Sequence, residues 1–115
     1  MTPTPKGTAV FRNLWTKWSR KVNKKYELQV TNTFRKDFKK IKKRNYNLSL
    51  LNDIVEMLLD GKTLPDKNKD HALTGNWNGY RECHIQPDWL LVYKIYENTL
   101  VLSLFRTGTH SDLDF

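Results

Sequence analysis

Residues 80–105 read YRECHIQPDWLLVYKIYENTLVLSLF, and this stretch decides the fold. It divides at two turns. Tyr80 to Ile85 alternates, with Tyr80, Glu82 and His84 on one side and Arg81, Cys83 and Ile85 on the other. Pro87-Asp88 has turn chemistry, because proline presets φ and aspartate tolerates tight backbone geometry. Trp89 to Ile95 is apolar on both faces, the pattern of a central strand. Glu97-Asn98 is a second tight turn, and Leu100 to Phe105 a third strand that ends at Arg106 and Gly108. Strands joined by turns this short pair antiparallel.

Upstream, Leu28 and Val30 alternate with Glu27, Gln29 and Thr31, which predicts a half-buried strand. Asn32 and Thr33 are expected to cap a short helix with Phe34, Phe38 and Ile41 on its inner face. Arg35, Lys36, Lys39, Lys40, Lys42, Lys43 and Arg44 cover its other faces. A second helix is expected from about Leu48 to Asp60, with Leu51, Ile54, Val55 and Leu58 as its core stripe and Gly61 as its stop. Residues 62–78 are polar and read as irregular. Val10, Leu14, Trp18 and Val22 fall at four-residue steps, so residues 8–25 predict an additional basic amphipathic helix behind a Thr-Pro tail. The expected organisation is an N-terminal extension over 1–25 and one α+β domain over 26–115. In that domain a helical hairpin packs on a small, mainly antiparallel sheet in the order strand-helix-helix-strand-strand-strand.

A chain of 115 residues fits one such domain, and 38% hydrophobic and 12% aromatic residues argue against disorder. Its single cysteine, Cys83, has no internal disulfide partner, which suits a reducing compartment. No apolar run has the length of a membrane span, and the first residues lack the apolar stretch of a secretory signal. A cytoplasmic location without a membrane partner is expected. The net charge of +8 is unevenly placed: residues 1–46 hold 14 basic and 2 acidic groups, and residues 47–115 hold 6 basic and 10 acidic. Such a basic surface attracts phosphate backbones or anionic membranes.

The three histidines, His71, His84 and His110, all lie in the second half. Asp88 follows His84 by four residues across the Pro87 turn, and the hairpin is expected to bring it near His84. With Cys83 and Ile85 facing the helices, His84 faces the open side. RNA cleavage can use the RNA chain's own 2′-hydroxyl as nucleophile. It needs a base for that hydroxyl, an acid for the leaving 5′-oxygen and cations for the phosphorane. Imidazole suits acid and base near neutrality, and a positioned acid or base contributes about 10²–10⁴-fold. Arg81 and Arg106 stand beside the histidine-bearing segments and suit a phosphate. His84 and Asp88 with another histidine have the chemistry to hold zinc, yet no short ligand-pair motif is present, so no metal or cofactor is expected. Cys83 is assigned to the core.

DHALTGNWNGYRECHIQPDWLLVYK (residues 70–94) and RTGTHSDL (residues 106–113) strongly resemble the YafQ branch of the RelE toxin family, over roughly residues 26–115. The resemblance implies a type II toxin that enters the ribosomal A site and cuts mRNA, and an antitoxin that wraps and blocks it. It places His71, His84, Asp88 and His110 at catalytic positions, with His110 as general acid and Asp88 or another histidine as base. Arg106 falls on the motif's arginine and would steady the scissile phosphate. Lys36, Lys39, Lys40 and Lys43 are expected to meet RNA or the antitoxin. The family usually has phenylalanine four residues after the last histidine. Here Asp114 stands there and Phe115 follows, as the candidate for base stacking. Two alternatives stay open: a toxin of this fold with another target, such as gyrase, and a non-catalytic RNA- or ribosome-binding module.

Overall fold

The computed structural model describes residues 24–113. Its five strands form one mixed sheet. They are β1 (Glu27–Val30), β2 (His71–Ala72), β3 (Arg81–Gln86), β4 (Trp89–Tyr96) and β5 (Val101–Gly108). The order across the sheet is β1-β5-β4-β3-β2, so the doubly apolar β4 is the middle strand. β3, β4 and β5 form the expected antiparallel meander. β1 joins the far edge parallel to β5, with Leu28 beside Leu102 and Val30 beside Leu104. A parallel neighbour needs a long crossover, and the helical hairpin α1 (Asn32–Lys43) and α2 (Leu48–Leu59) supplies it.

The helix ends follow local chemistry. Thr31, not Asn32 or Thr33, caps α1: its hydroxyl accepts from the Phe34 N–H at 3.0 Å, and its extended backbone (φ −76°, ψ 158°) is what a cap position needs. Asn47 caps α2. Beyond α2, Gly61 N–H donates to Leu58 O and Lys62 N–H to Met57 O, both at 3.0 Å. This is a Schellman closure, which requires the positive φ of +74° that Gly61 adopts.

Phe34, Phe38 and Ile41 of α1 and Leu51, Val55 and Leu59 of α2 are fully buried against Cys83, Leu91, Leu102 and Leu104 of the sheet. Each such side chain contributes about 1.5–3 kcal/mol by leaving water. Trp89 in the core donates its indole N–H to Thr107 Oγ1 at 2.9 Å, and the Thr107 hydroxyl donates to Leu90 O at 2.7 Å, so the burial leaves neither polar group unmet. A smaller cluster of Leu90, Val92 and Leu113 lies apart from this core, with Tyr80, Trp77 and Phe105 packed on it.

The segment expected to be irregular contains the short strand β2 and two 3-10 turns, Asp66–Asn68 and Gly75–Trp77. A two-residue strand is too short to show a period in the sequence. The N-terminal helix expected over 8–25 lies outside the described residues, apart from Lys24 and Lys25, which are not helical. Among the described residues no helix is long and apolar enough to cross a membrane.

Candidate active site

Strand register gathers the site. His71 on β2 pairs with Glu82 on β3. Glu82 pairs with Val92 and His84 with Leu90 on β4, while Val92 and Leu90 pair with Arg106 and Gly108 on β5. Cross-strand partners share a face, so His71, Glu82, His84 and Arg106 fall on one face. Cys83 and Ile85 point to the helices, as expected, and burial pushes the Cys83 thiol well above its usual range. His110 opens α3 (His110–Leu113) immediately after β5. Its ring centroid is 5.7 Å from that of His84, which is in turn 6.5 Å from that of His71.

Asp88 partners His110 rather than His84. Its Oδ1 accepts from His110 Nδ1 at 2.5 Å and from the His110 backbone N–H at 2.9 Å. These backbone and side-chain hydrogen bonds hold the Asp88 carboxyl below its ordinary value. The sequence placed Asp88 in the β3–β4 turn correctly. It could not show that His110, 22 residues on, returns to the same corner.

The other two rings also turn Nδ1 towards oxygen: His84 towards Pro87 O at 3.3 Å and His71 towards Lys69 O at 2.8 Å. A carbonyl only accepts, so the neutral rings carry their proton on Nδ1 and leave Nε2 as a base. His71 Nε2 lies 3.5 Å from Glu82 Oε1. Three imidazoles in a row, each oriented through Nδ1, can accept a proton at one Nε2 and donate one at another.

Two acids fix the segment that carries His110. Asp37, 4% exposed, accepts from Arg106 Nε at 2.7 Å and from the Thr107 N–H at 3.1 Å. Asp112 binds Arg44 through both oxygens, at 2.6 and 3.0 Å, and accepts the Thr109 N–H at 2.9 Å. The Thr109 hydroxyl accepts from the Asp112 N–H at 3.1 Å, closing a capping box on α3. The hydrogen bond from Arg44 comes first in holding the Asp112 carboxyl far below the usual carboxylate range. Gly108 lets Asp112 approach. Its φ is +151°, and a Cβ there would sit 2.9 Å from Asp112 Cβ and Oδ2.

Arg81 is not brought to the histidines. It pairs with Tyr93 in register and binds Asp70 at 3.3–3.4 Å, while the Tyr93 hydroxyl donates to the same carboxylate at 2.6 Å. Lys36, Lys39, Lys40 and Lys43 are exposed along α1, and Phe115 lies outside the described residues. Sequence reasoning passed over Asp37, Arg44, Glu82, Thr109 and Asp112. Asp37 did carry a signal, as the one acid between Glu27 and Asp53. Among the described residues no three of His, Cys, Asp and Glu are placed to share a metal ion.

Residues 26–114 match the family model described as a bacterial toxin of type II toxin-antitoxin system, YafQ. The mRNA interferase toxin YafQ of Escherichia coli K12 is 36% identical over 88 residues, covering 76% of this chain and 94% of the relative. Escherichia coli YafQ in its crystal structure with DinJ superposes with a TM-score of 0.72 at 36% identity, over 77% of this chain and 97% of that one. A metal-bound toxin from Helicobacter pylori superposes at 0.71 with 41% identity, over 75% and 96%. The chain therefore belongs to the YafQ family of bacterial toxins of type II toxin-antitoxin systems, a branch of the RelE toxins.

Proposed function

We propose that this toxin is a metal-independent endoribonuclease that cuts mRNA held in the ribosomal A site, and that a cognate antitoxin keeps it inactive until released. The observation that carries this is the His110–Asp88 pair standing beside His84 on an open face with Arg106. His84 takes the proton of the attacking 2′-hydroxyl at its Nε2. His110 delivers a proton from Nε2 to the leaving 5′-oxygen, and Asp88 steadies the imidazolium it forms on recharging. Asp88 is thereby an orienting group rather than the base, since His110 already occupies its Oδ1 twice. Arg106, with Nε and Nη2 engaged by Asp37, offers Nη1 to a phosphate oxygen as charge develops. The products are a 2′,3′-cyclic phosphate and a 5′-hydroxyl.

The exposed lysines of α1 supply attraction to ribosomal RNA. The crystallised Escherichia coli YafQ–DinJ pair supports an antitoxin partner here. A substrate of translated mRNA sets the site of action in the cytoplasm. Primer extension on mRNA translated with the purified toxin tests the proposal: cuts within codons, absent when translation is blocked, are expected. Intact mRNA alongside gyrase poisoning would move the function to another target.

A further inference from the structure

We infer that the groove where the 3-10 turn Asp66–Asn68 meets the end of β3 is a subsite for one nucleotide of single-stranded RNA, next to the scissile phosphate on the His84 side. This rests on the ribonuclease reading above. β2 pairs only with Arg81 and Glu82, so the rest of β3 is a sheet edge on which β2 places no residue. A groove of about 420 Å³ opens there, and His84 forms part of its wall. Leu50, Ile85 and Pro87 give it apolar surface for a base, and the exposed Gln86 adds a carboxamide. Lys67 and Lys69, both exposed, flank it with two cations for phosphate.

Asn68 marks the groove as more than a dent in the surface. It is 3% exposed, donates Nδ2–H to the carbonyl of His84 at 2.8 Å, and keeps Oδ1 without a hydrogen-bond partner among the described residues. A buried acceptor left alone is costly, and a base offers it an N–H once the wall yields by a small side-chain shift. The same turn holds Lys69 in a left-handed conformation (φ +46°), with its carbonyl on His71 Nδ1. Filling the groove thus bears on the orientation of two of the three imidazoles. Single-stranded RNA is recognised in this way, by bases laid on apolar surface with their edges read by side chains.

The test titrates the 15N-labelled full chain with an uncleavable 2′-deoxy trinucleotide, for the parent and for K67Q/K69Q. Both lysines are exposed, so the double variant keeps the fold. The side-chain amide signals of Asn68 and Gln86 are expected to shift saturably. The Kd of the double variant should rise about tenfold at low salt, and the salt slope should fall by about 1.4, at roughly 0.7 per phosphate contact on a single strand. Unmoved Asn68 and Gln86 signals, or equal affinity and slope in both proteins, overturn the subsite even if the parent cuts mRNA. A filled groove in a parent that leaves translated mRNA intact upholds the subsite and overturns the ribonuclease instead.

Discussion

His110 and Asp88, 22 residues apart, are joined twice through a single oxygen: Asp88 Oδ1 accepts both the ring Nδ1–H and the backbone N–H of His110. The first bond fixes the tautomer, and the second fixes where the ring starts. Asp88 sits in the β3–β4 turn and His110 at the head of α3, so the sheet brings together two groups that neither segment could position alone.

The Asp88 carboxyl, held below its ordinary value of 3.8 by those two bonds, stays ionised at every pH above about 4. The pH profile of kcat/KM between pH 5 and 9 should therefore contain no limb from Asp88. Asp88→Asn should lower the rate without removing a limb. A single-turnover pH series on the parent and the variant checks this, and loss of a limb in Asp88→Asn would make Asp88 the base.

Asp37 is the buried partner of Arg106. Removing one member of a buried pair costs about 3–5 kcal/mol because the other charge stays unpaired. Arg106 keeps 23% of its side-chain surface exposed, so the lower end, about 3 kcal/mol, is expected for Asp37→Ala by urea denaturation. A loss below about 1 kcal/mol would mean that the pair does not hold β5 to α1.

Arg44 and Asp112 give a pH signature. The folded carboxyl titrates below its unfolded value of about 3.9, so its contribution is complete above that value and is lost as pH falls through the folded one. Arg44→Ala should melt lower than the parent at pH 7, and the gap should close as pH drops below about 4. The variant should also lose kcat rather than raise KM, with Arg44→Lys recovering part of it. A gap that does not depend on pH would remove Asp112 from the explanation.

Gly108→Ala should cost about 1–3 kcal/mol from its positive φ alone, with a further loss from the clash with Asp112. Cleavage should fall with it, because the displaced residue closes the cap of α3. Thermal melting and single-turnover cleavage on one preparation compare the two effects, and full activity in a destabilised variant would separate α3 from the chemistry.

Toxin stripped of zinc and copper with a chelator, then returned to the magnesium that ribosomes need, should cleave at the parent rate. Recovery only on adding back zinc or copper would assign the histidines to a metal instead.

The sheet was legible because strands of period two and their turns are local: residues 80–105 carry alternation, a doubly apolar run and two turn dipeptides in one stretch. The open-side placement of His84 followed from the same alternation. What stayed hidden was relation at long range. Asp37 is the one acid of a basic helix, and only the packing of α1 beside β5 makes it the clamp on Arg106. Arg81 looked equivalent to Arg106, yet register with Tyr93 gives it to Asp70. The capping box of Thr109 and Asp112 is written in RTGTHSDL, but its purpose appears only when Arg44 arrives from α1.

The most direct test is the single-turnover rate of mRNA cleavage on programmed ribosomes for the parent and His110→Ala, with the new ends identified. The parent should leave a 2′,3′-cyclic phosphate and a 5′-hydroxyl, and the variant should be slower by about 10²–10⁴-fold. An unchanged rate in His110→Ala, or a 5′-phosphate on the downstream product, would contradict acid–base cleavage by this histidine set.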